Sequence, residues 1–395
     1  MTERPRSAQG ATMRVGALAT SLLFLRLGAI AFGGPAAHVA LMRDEFVRRR
    51  KWLTDQHFMD LLGITNLIPG PNSTEMAIHL GFVRSGWAGL IGAGIAFILP
   101  AALMVGILAW AYVAYGSTPQ AEWLLYGVRP VIIAVVVTAI WGLARTILRK
   151  WHAIAVAVAV IGPGLLGVNE LALLFGGAAV GTALKLGRDR WESGMPLVGA
   201  LLPLLGPSAL TATIAAVAAP ISLTTLGLTF LKIGAVLYGG GYVLVAFMRG
   251  DFVDRLGWLT DQQLLDAIAI GQLTPGPLFT SATFVGFLLA GTIGAVIATV
   301  AIFLPSFVFV AAVGPFVTRI RQNRWSGAML DGVNAAALGL MAVVTVQLGR
   351  DSVVDVLTAA LAVGTLGVLV FTKLSSVWII LGGAMVGVAA HLGGG

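Results

Sequence analysis

The sequence predicts an all-α integral membrane protein with an inverted-topology internal repeat, each half containing broken, re-entrant helices. Three observations predict it: scarce charge, a duplicated block of motifs, and a positive bias present in one copy of that block and missing from the other. Of 395 residues, 58% are hydrophobic and 11% charged, whereas a soluble domain carries about 25% charged residues to cover its surface. Most of the exterior must therefore face lipid. The net charge of +8, from 25 Lys and Arg against 17 Asp and Glu, is first a topological label, because basic residues concentrate in cytoplasmic loops. Nucleic acid is not implied as a partner; the lipid bilayer is.

Apolar runs long enough to matter in a ~30 Å hydrocarbon core lie at 15–42, 54–84, 87–116, 128–148, 151–167, 168–186, 195–218, 222–248, 260–290, 291–317, 328–348, 352–371 and 376–392. Their length and lack of alternation predict helices and exclude a transmembrane barrel. The basic start at 1–14 resembles the head of a signal peptide, but the run behind it is too long and holds Arg26, so it is expected to be retained as a cytoplasmic tail.

The block Phe24–Gly34, FLRLGAIAFGG, returns as Phe230–Gly240, FLKIGAVLYGG, 206 positions later. The register continues through Arg43–Gln56 against Arg249–Gln262, both ending in WLTDQ, and through Pro69-Gly70-Pro71 against Pro275-Gly276-Pro277. About half of roughly fifty aligned positions are identical, which marks a duplication. Beyond the prolines the match weakens and slips by one residue, with Leu99-Pro100 against Leu304-Pro305. The expected organisation is a tail at 1–14, a first repeat at 15–190, a connecting span within 191–221 and a second, inverted repeat at 222–395.

Charge supports the inversion. Arg43–Trp52 carries five basic and two acidic residues, whereas its copy Arg249–Trp258 carries two of each, as expected if the copies face opposite sides. The tail (Arg4, Arg6, Arg14) and the Arg43–Lys51 loop are both basic, so the segment between them must begin and end on one side. Runs 15–42 and 54–84 are therefore expected to dip in, break at Gly33-Gly34-Pro35 and Pro69-Gly70-Pro71, and return. Runs 222–248 and 260–290 would dip in from the other side. Four full spans per half plus the connector complete the count.

Pro-Gly-Pro interrupts the helical ladder, because proline lacks its N–H and clashes with the preceding turn. At membrane depth such backbone must be covered by protein or line a polar cavity. Asn72, Ser73, Thr74 and Glu75 follow the first break, and Thr280 and Ser281 lie just after the second. Polar groups at a half-helix start, with unpaired N–H groups and a positive dipole end, favour an anion. A plain kink with Ser/Thr capping is the simpler alternative. Gly33, Gly34, Gly239 and Gly240 mark either unwound tips or close packing through small residues. Arg26 and Lys232 occupy equivalent positions in apolar runs. They either snorkel to an interface or build an electropositive site at the midplane, where a basic group costs roughly 2.5–3.5 kcal/mol. Asp60 and Asp266 could pair with these cations or carry protons. Glu75, whose counterpart is Ser281, is the asymmetric candidate for a proton or counter-ion site, while Asp55 and Asp261 follow Thr54 and Thr260 as first-turn acids.

There is no cysteine, which removes disulfides, thiolate chemistry and Cys-ligated metals. No HExxH, GxSxG or Walker sequence occurs, and no cofactor, metal or catalytic group is implied. His38 and His79 near the breaks are expected to be structural.

The ordered set FLRLGAIAFGGP, WLTDQ and NLIPGPNSTEMA, repeated as FLKIGAVLYGGG, WLTDQ and QLTPGPLFTSAT, resembles the chromate ion transporter family in its long, two-domain form. The resemblance implies a multi-pass protein of the bacterial inner membrane that exports chromate and confers resistance to it, with sulfate as the structural analogue. The second copy departs from the first at Gly241, which replaces Pro35, and at Ser281. Sulfate or another oxyanion as the cargo, a channel or a scramblase are the competing readings, and a homodimer stays open.

Overall fold

A computed structural model describes residues 16–191, 220–238, 241–313, 324–372 and 374–393. The connecting span expected at 195–218, the tail at 1–14 and the glycines Gly239 and Gly240 lie outside the described residues. Everything assigned to a regular element among the described residues is helical. In the first half, α1 (Ala17–Ile30), α2 (Gly34–Arg43, continuing as a π-turn to Arg49) and α3 (Asp55–Thr65) are followed by α4 (Asn72–Tyr115), α5 (Pro119–Ile147), α6 (Trp151–Leu165) and α7 (Glu170–Trp191). The second half repeats this order. It has α8 (Leu223–Val236), α9 (Val243–Met248, again with a π-turn, Arg249–Arg255), α10 (Asp261–Leu273), α11 (Ser281–Val313), α12 (Arg324–Ser352), α13 (Val356–Phe371) and α14 (Ser376–Gly393). Of the described helices, α4, α5, α11 and α12 are long and apolar enough to cross a membrane. At 15 residues α6 rises only about 22 Å, so the expected four full-length spans per half are not met by length among the described residues.

The breaks fall where the motifs put them. α1 and α2 part at Gly33, which is left-handed (φ 98°). α3 and α4 part at Pro69-Gly70-Pro71, and α10 and α11 at Pro275-Gly276-Pro277. At Gly70 and Gly276 φ is 138° and 105°, values a side chain rarely allows. A second pair of breaks, Ser85-Gly86 in α4 and Ala290-Gly291 in α11, matches the boundaries 84/87 and 290/291 drawn from hydropathy. Each folds its helix into a hairpin whose arms touch at Gly81 and Gly89, or at Gly286 and Gly294, where a Cβ on either residue would strike the other's carbonyl.

Side-chain contacts show that both early segments of the first half fold back on themselves. Phe24 in the middle of α1 lies 5.0 Å from Phe46 in the π-turn after α2, and Phe46 stacks on Trp52 at 4.6 Å. Arg84, ending the first arm of α4, sits 4.8 Å above the Trp52 ring, and Thr20 hydrogen-bonds Ser85 at 2.9 Å. All the open ends are thus together at the basic Arg43–Lys51 stretch. Phe230–Phe252 (4.8 Å) and Phe252–Trp258 (6.2 Å) repeat the arrangement.

Two bundles result. In one, α1 packs on α4 and α8 on α11, and α4 crosses α11. The approach is set by Gly28 against the Phe97 carbonyl and Gly234 against that of Ile302. In the other, the halves interlock: α5 packs on α13 and α14, and α12 on α6 and α7, through Gly127 with Gly383 and Gly387, and Gly332 with Gly177 and Gly181. Small residues suit such contacts because dispersion between close backbones, rather than a hydrophobic drive, holds helices together in lipid.

Candidate functional site

The two Pro-Gly-Pro loops meet the opposite repeat. The Gly70 N–H donates to the Leu237 carbonyl at 2.8 Å, and the Gly276 N–H donates to the Ala31 carbonyl at 2.8 Å. Ala31 and Leu237 are themselves repeat equivalents, just past the ends of α1 and α8. Each break therefore supplies the hydrogen bond that the other half's unwound chain lacks, meeting the demand that buried backbone in a membrane be paired.

Beside this crossing lies a cavity of about 680 Å³. Its walls include the first tip (Gly33, Gly34, Pro35), the ends of α3 and α4 (Asn66, Asn72), the second tip (Gly241, Tyr242) and the face of α5 from Val135 to Leu143, with Thr138 between; no charged side chain lines it. The local structure of the two helix starts matters here. α2 begins after Gly33 and α4 after Pro71, and neither has a side-chain cap. α1, α6 and α9 are likewise uncapped, whereas α3, α5, α8, α10 and α13 are capped by Thr54, Thr118, Ser222, Thr260 and Asp355. The first N–H groups of a helix have no internal partner; Pro35 removes one of them at α2 and the Thr74 and Glu75 N–H groups turn back to the Pro71 carbonyl at α4, so what the two starts offer the cavity is chiefly their positive dipole ends. Asn72 Nδ2 donates to Asn66 Oδ1 at 2.8 Å, a pairing that leaves the Asn66 amide nitrogen as a further donor. An anion can be held here by dipoles alone.

Of the residues singled out in sequence, Gly33, Gly34 and Asn72 line the cavity. Pro69, Gly70, Pro71, Ser73, Thr74, Pro275, Gly276, Pro277, Thr280 and Ser281 are buried in or beside the crossing, where Thr280 Oγ1 donates to the Pro277 carbonyl at 2.8 Å. Glu75 is fully buried, and its polar neighbour across the crossing is the Ser306 hydroxyl of α11. A Cβ on Gly70 would meet both groups, which places Glu75 at the contact between the halves.

The expected pairing of Asp60 and Asp266 with Arg26 and Lys232 does not form. Arg26 is exposed on α1. Lys232 ion-pairs with Asp251 in the π-turn, which Arg255 also contacts at 3.0 Å; its long stem carries the ammonium away from the tip toward acids at the open end. Neither cation lines the cavity. Asp266, fully buried on α10, instead takes a two-pronged pair from Arg129 of α5, Nε and Nη2 both at 3.0 Å, and a hydrogen bond from Tyr112 of α4 at 2.8 Å. Asp60 accepts from Gln56 of its own helix at 3.2 Å. Arg129 is the cation sequence reasoning missed. It stands at the edge of the run assigned to 128–148 and so passed for a flank, although the Arg-Pro pair inside α5 was visible.

Asp55 and Asp261 do more than begin helices. Each is gripped at both oxygens, by Arg43 (2.7 and 2.7 Å) and by Arg249 (2.8 and 3.1 Å). WLTDQ is therefore a cap and a clasp that ties the two re-entrant segments together in each half. His38 and His79 are buried, and no cluster of three or more His, Asp or Glu among the described residues could hold a metal.

A family model described as chromate transporter matches the chain twice, over residues 18–182 and 224–388. The chain belongs to the chromate transporter family. Its members are transporters rather than enzymes, and the double match is the internal repeat seen from outside. A chromate transport protein of Cupriavidus metallidurans is 34% identical over 94% of this chain and 92% of its own length. A probable chromate transport protein of Synechococcus elongatus is 32% identical over 85% of each, and an uncharacterized transporter of Methanocaldococcus jannaschii is 26% identical over 84% of each. No solved structure matches. Family and apolar helices together make this a membrane transporter of an oxyanion.

Proposed function

We propose that the chain exports chromate, or a closely related tetrahedral oxyanion such as sulfate, from the cytoplasm across a bacterial inner membrane, and so confers chromate resistance. The observation that carries this reading is the cavity walled by two uncapped helix starts and the Asn66–Asn72 pair, with no charged side chain in its lining. A tetrahedral dianion presents acceptors in every direction, which N–H donors and amides satisfy without the tight grip of an ion pair.

Direction follows from charge. The α5 wall runs from Val135 to Leu143 toward Arg145, Arg149 and Lys150, and the first repeat's open ends carry Arg43 and Arg48–Lys51. Under the positive-inside rule the cavity faces the cytoplasm, the second repeat is inverted, and 191–221 supplies the odd connecting span. A dianion leaving an inside-negative cell gains about 2.3 kcal/mol per charge per 100 mV, so no ATP site is needed. Glu75, buried at the crossing beside Ser306 with no basic partner among the described residues, is assigned as the coupling group that takes up a proton; Arg26 and Lys232 act outside the cavity, through their field.

The test is oxyanion flux into inverted proteoliposomes under an imposed potential, with chromate and sulfate in competition. Saturable uptake is expected, with Asn66→Leu and Asn72→Leu raising KM about tenfold, as loss of one charge-assisted hydrogen bond predicts. Linear flux sinks the carrier reading, and unchanged KM in both variants moves the site elsewhere.

A further inference from the structure

The repeats are equivalent in sequence yet packed differently. α10 packs against α5, α12 and α14, and α9 against α12, whereas α2 and α3 have no packing of comparable extent on α5, α12 or α7. The cavity occupies the resulting gap, between α2, α3 and α5. On the closed side stands the Asp266–Arg129–Tyr112 cluster. Its repeat equivalents are readable once the one-residue slip is applied: Gly127-Val128-Arg129 aligns with Gly332-Val333-Asn334, and Asp266 with Asp60. Arginine on one side is asparagine on the other.

We propose that Asp266, Arg129 and Tyr112 form a latch that holds the interlocked bundle against the second repeat, and that transport alternates this contact with its weaker mirror image. When the latch parts, the bundle swings onto α2 and α3, Asp60 comes opposite Asn334, and the cavity closes while its mirror opens beside α9 and α10. The physical ground is that related halves of opposite orientation support two conformations that exchange the halves' environments. The arginine–asparagine difference then sets the balance. A desolvated two-pronged ion pair holds this state, and an Asn–Asp contact holds the other, so the resting molecule waits open on the first repeat's side. Arg129 and Asp266 are positioning residues and touch no substrate. The inference rests on the proposed function in two respects, that the cavity is the transport site and that the halves have opposite orientation.

The chain has no cysteine, so single labels report cleanly. Ala139, on the cavity wall, and its repeat equivalent Val344, which is buried, are replaced by Cys and labelled with a membrane-impermeant maleimide in sealed vesicles of each orientation, without any oxyanion. Fast labelling of Ala139→Cys and slow labelling of Val344→Cys are expected. In the Arg129→Asn/Asp266→Asn background, which removes the pair without stranding a charge, the Ala139→Cys rate should fall at least fivefold and the Val344→Cys rate should rise. Asp60→Cys and Asn334→Cys should then be joined by a short crosslinker. Unchanged rates in a double variant that melts cooperatively would show a merely structural pair and overturn the latch. If the double variant does not fold, Asn334→Arg, which leaves the original cluster intact and offers Asp60 an arginine, must by itself slow Ala139→Cys labelling, and no slowing overturns the proposal. Because no substrate is present, failure of these measurements is separate from failure of the oxyanion assignment.

Discussion

The two pairs of re-entrant segments, α2–α3 and α9–α10, are copies that the rest of the molecule treats unequally. In α10 the six consecutive residues Leu264–Ala269 are buried; in α3 only Phe58, Leu61, Ile64 and Thr65 are. The acid of the shared WLTDQ motif shows the same contrast, with the Asp55 side chain 54% exposed and that of Asp261 21%. Local structure is copied faithfully, down to the threonine cap and the arginine clasp, because both are built within a few turns. Burial is not copied, because it depends on which side the interlocked bundle leans. The difference between two identical motifs is therefore a record of the conformational state.

That comparison can be broken most forcefully at the acids. Asp266→Ala strands a buried guanidinium and should cost about 3–5 kcal/mol, whereas Asp60→Ala, half-buried on the open side, should cost clearly less. Equal losses in denaturant melting of detergent-solubilised protein would mean that the two sides are equally packed. Next come the crossings, where symmetry predicts equality. Gly70→Ala and Gly276→Ala each force a side chain into left-handed backbone, about 1–2 kcal/mol, and into the facing repeat, about 1–3 kcal/mol more. Gly86→Ala, with open space around its Cβ position, should show the strain alone. A subtler contrast lies in the caps. Thr260 forms a reciprocal box with Gln263 that Thr54 lacks, since His57 stands at that place; Thr260→Ala should cost about 1 kcal/mol and Thr54→Ala about half of that. Smallest of all, Arg249→Gln should lower the melting temperature detectably and Arg43→Gln should not, because the first arginine is 12% exposed and the second 40%.

Much of this was legible in the chain. Repeats and prolines located the breaks at Gly33 and at both Pro-Gly-Pro loops, because each is a local rule written at one place. The breaks at 85–86 and 290–291 fell at the ends of the apolar runs 54–84 and 260–290, which charged and glycine-rich positions delimit. The site was less legible. Asn66 flanks the same Pro-Gly-Pro as Asn72 and could have been paired with it on spacing. Arg129 and Asp266 are 137 positions apart, and nothing in either neighbourhood names the other. Of the two readings of Arg26 and Lys232, the contacts favour side chains that reach away from the tips, because a long side chain follows the nearest counter-charge, and for Lys232 that is Asp251, at the open end. The cavity itself follows from the lean of one bundle on another, which two nearly identical motif sets cannot distinguish.

The reciprocal hydrogen bonds at the crossing also set a timetable for biosynthesis. Gly70 must wait for Leu237, made 167 residues later, which at ribosomal speeds of roughly 5–20 residues per second is about 10–30 s. Through that interval the first half sits in the membrane with its proline loop open to whatever will hydrogen-bond it. It becomes a finished structure only when the second half arrives and closes both loops together.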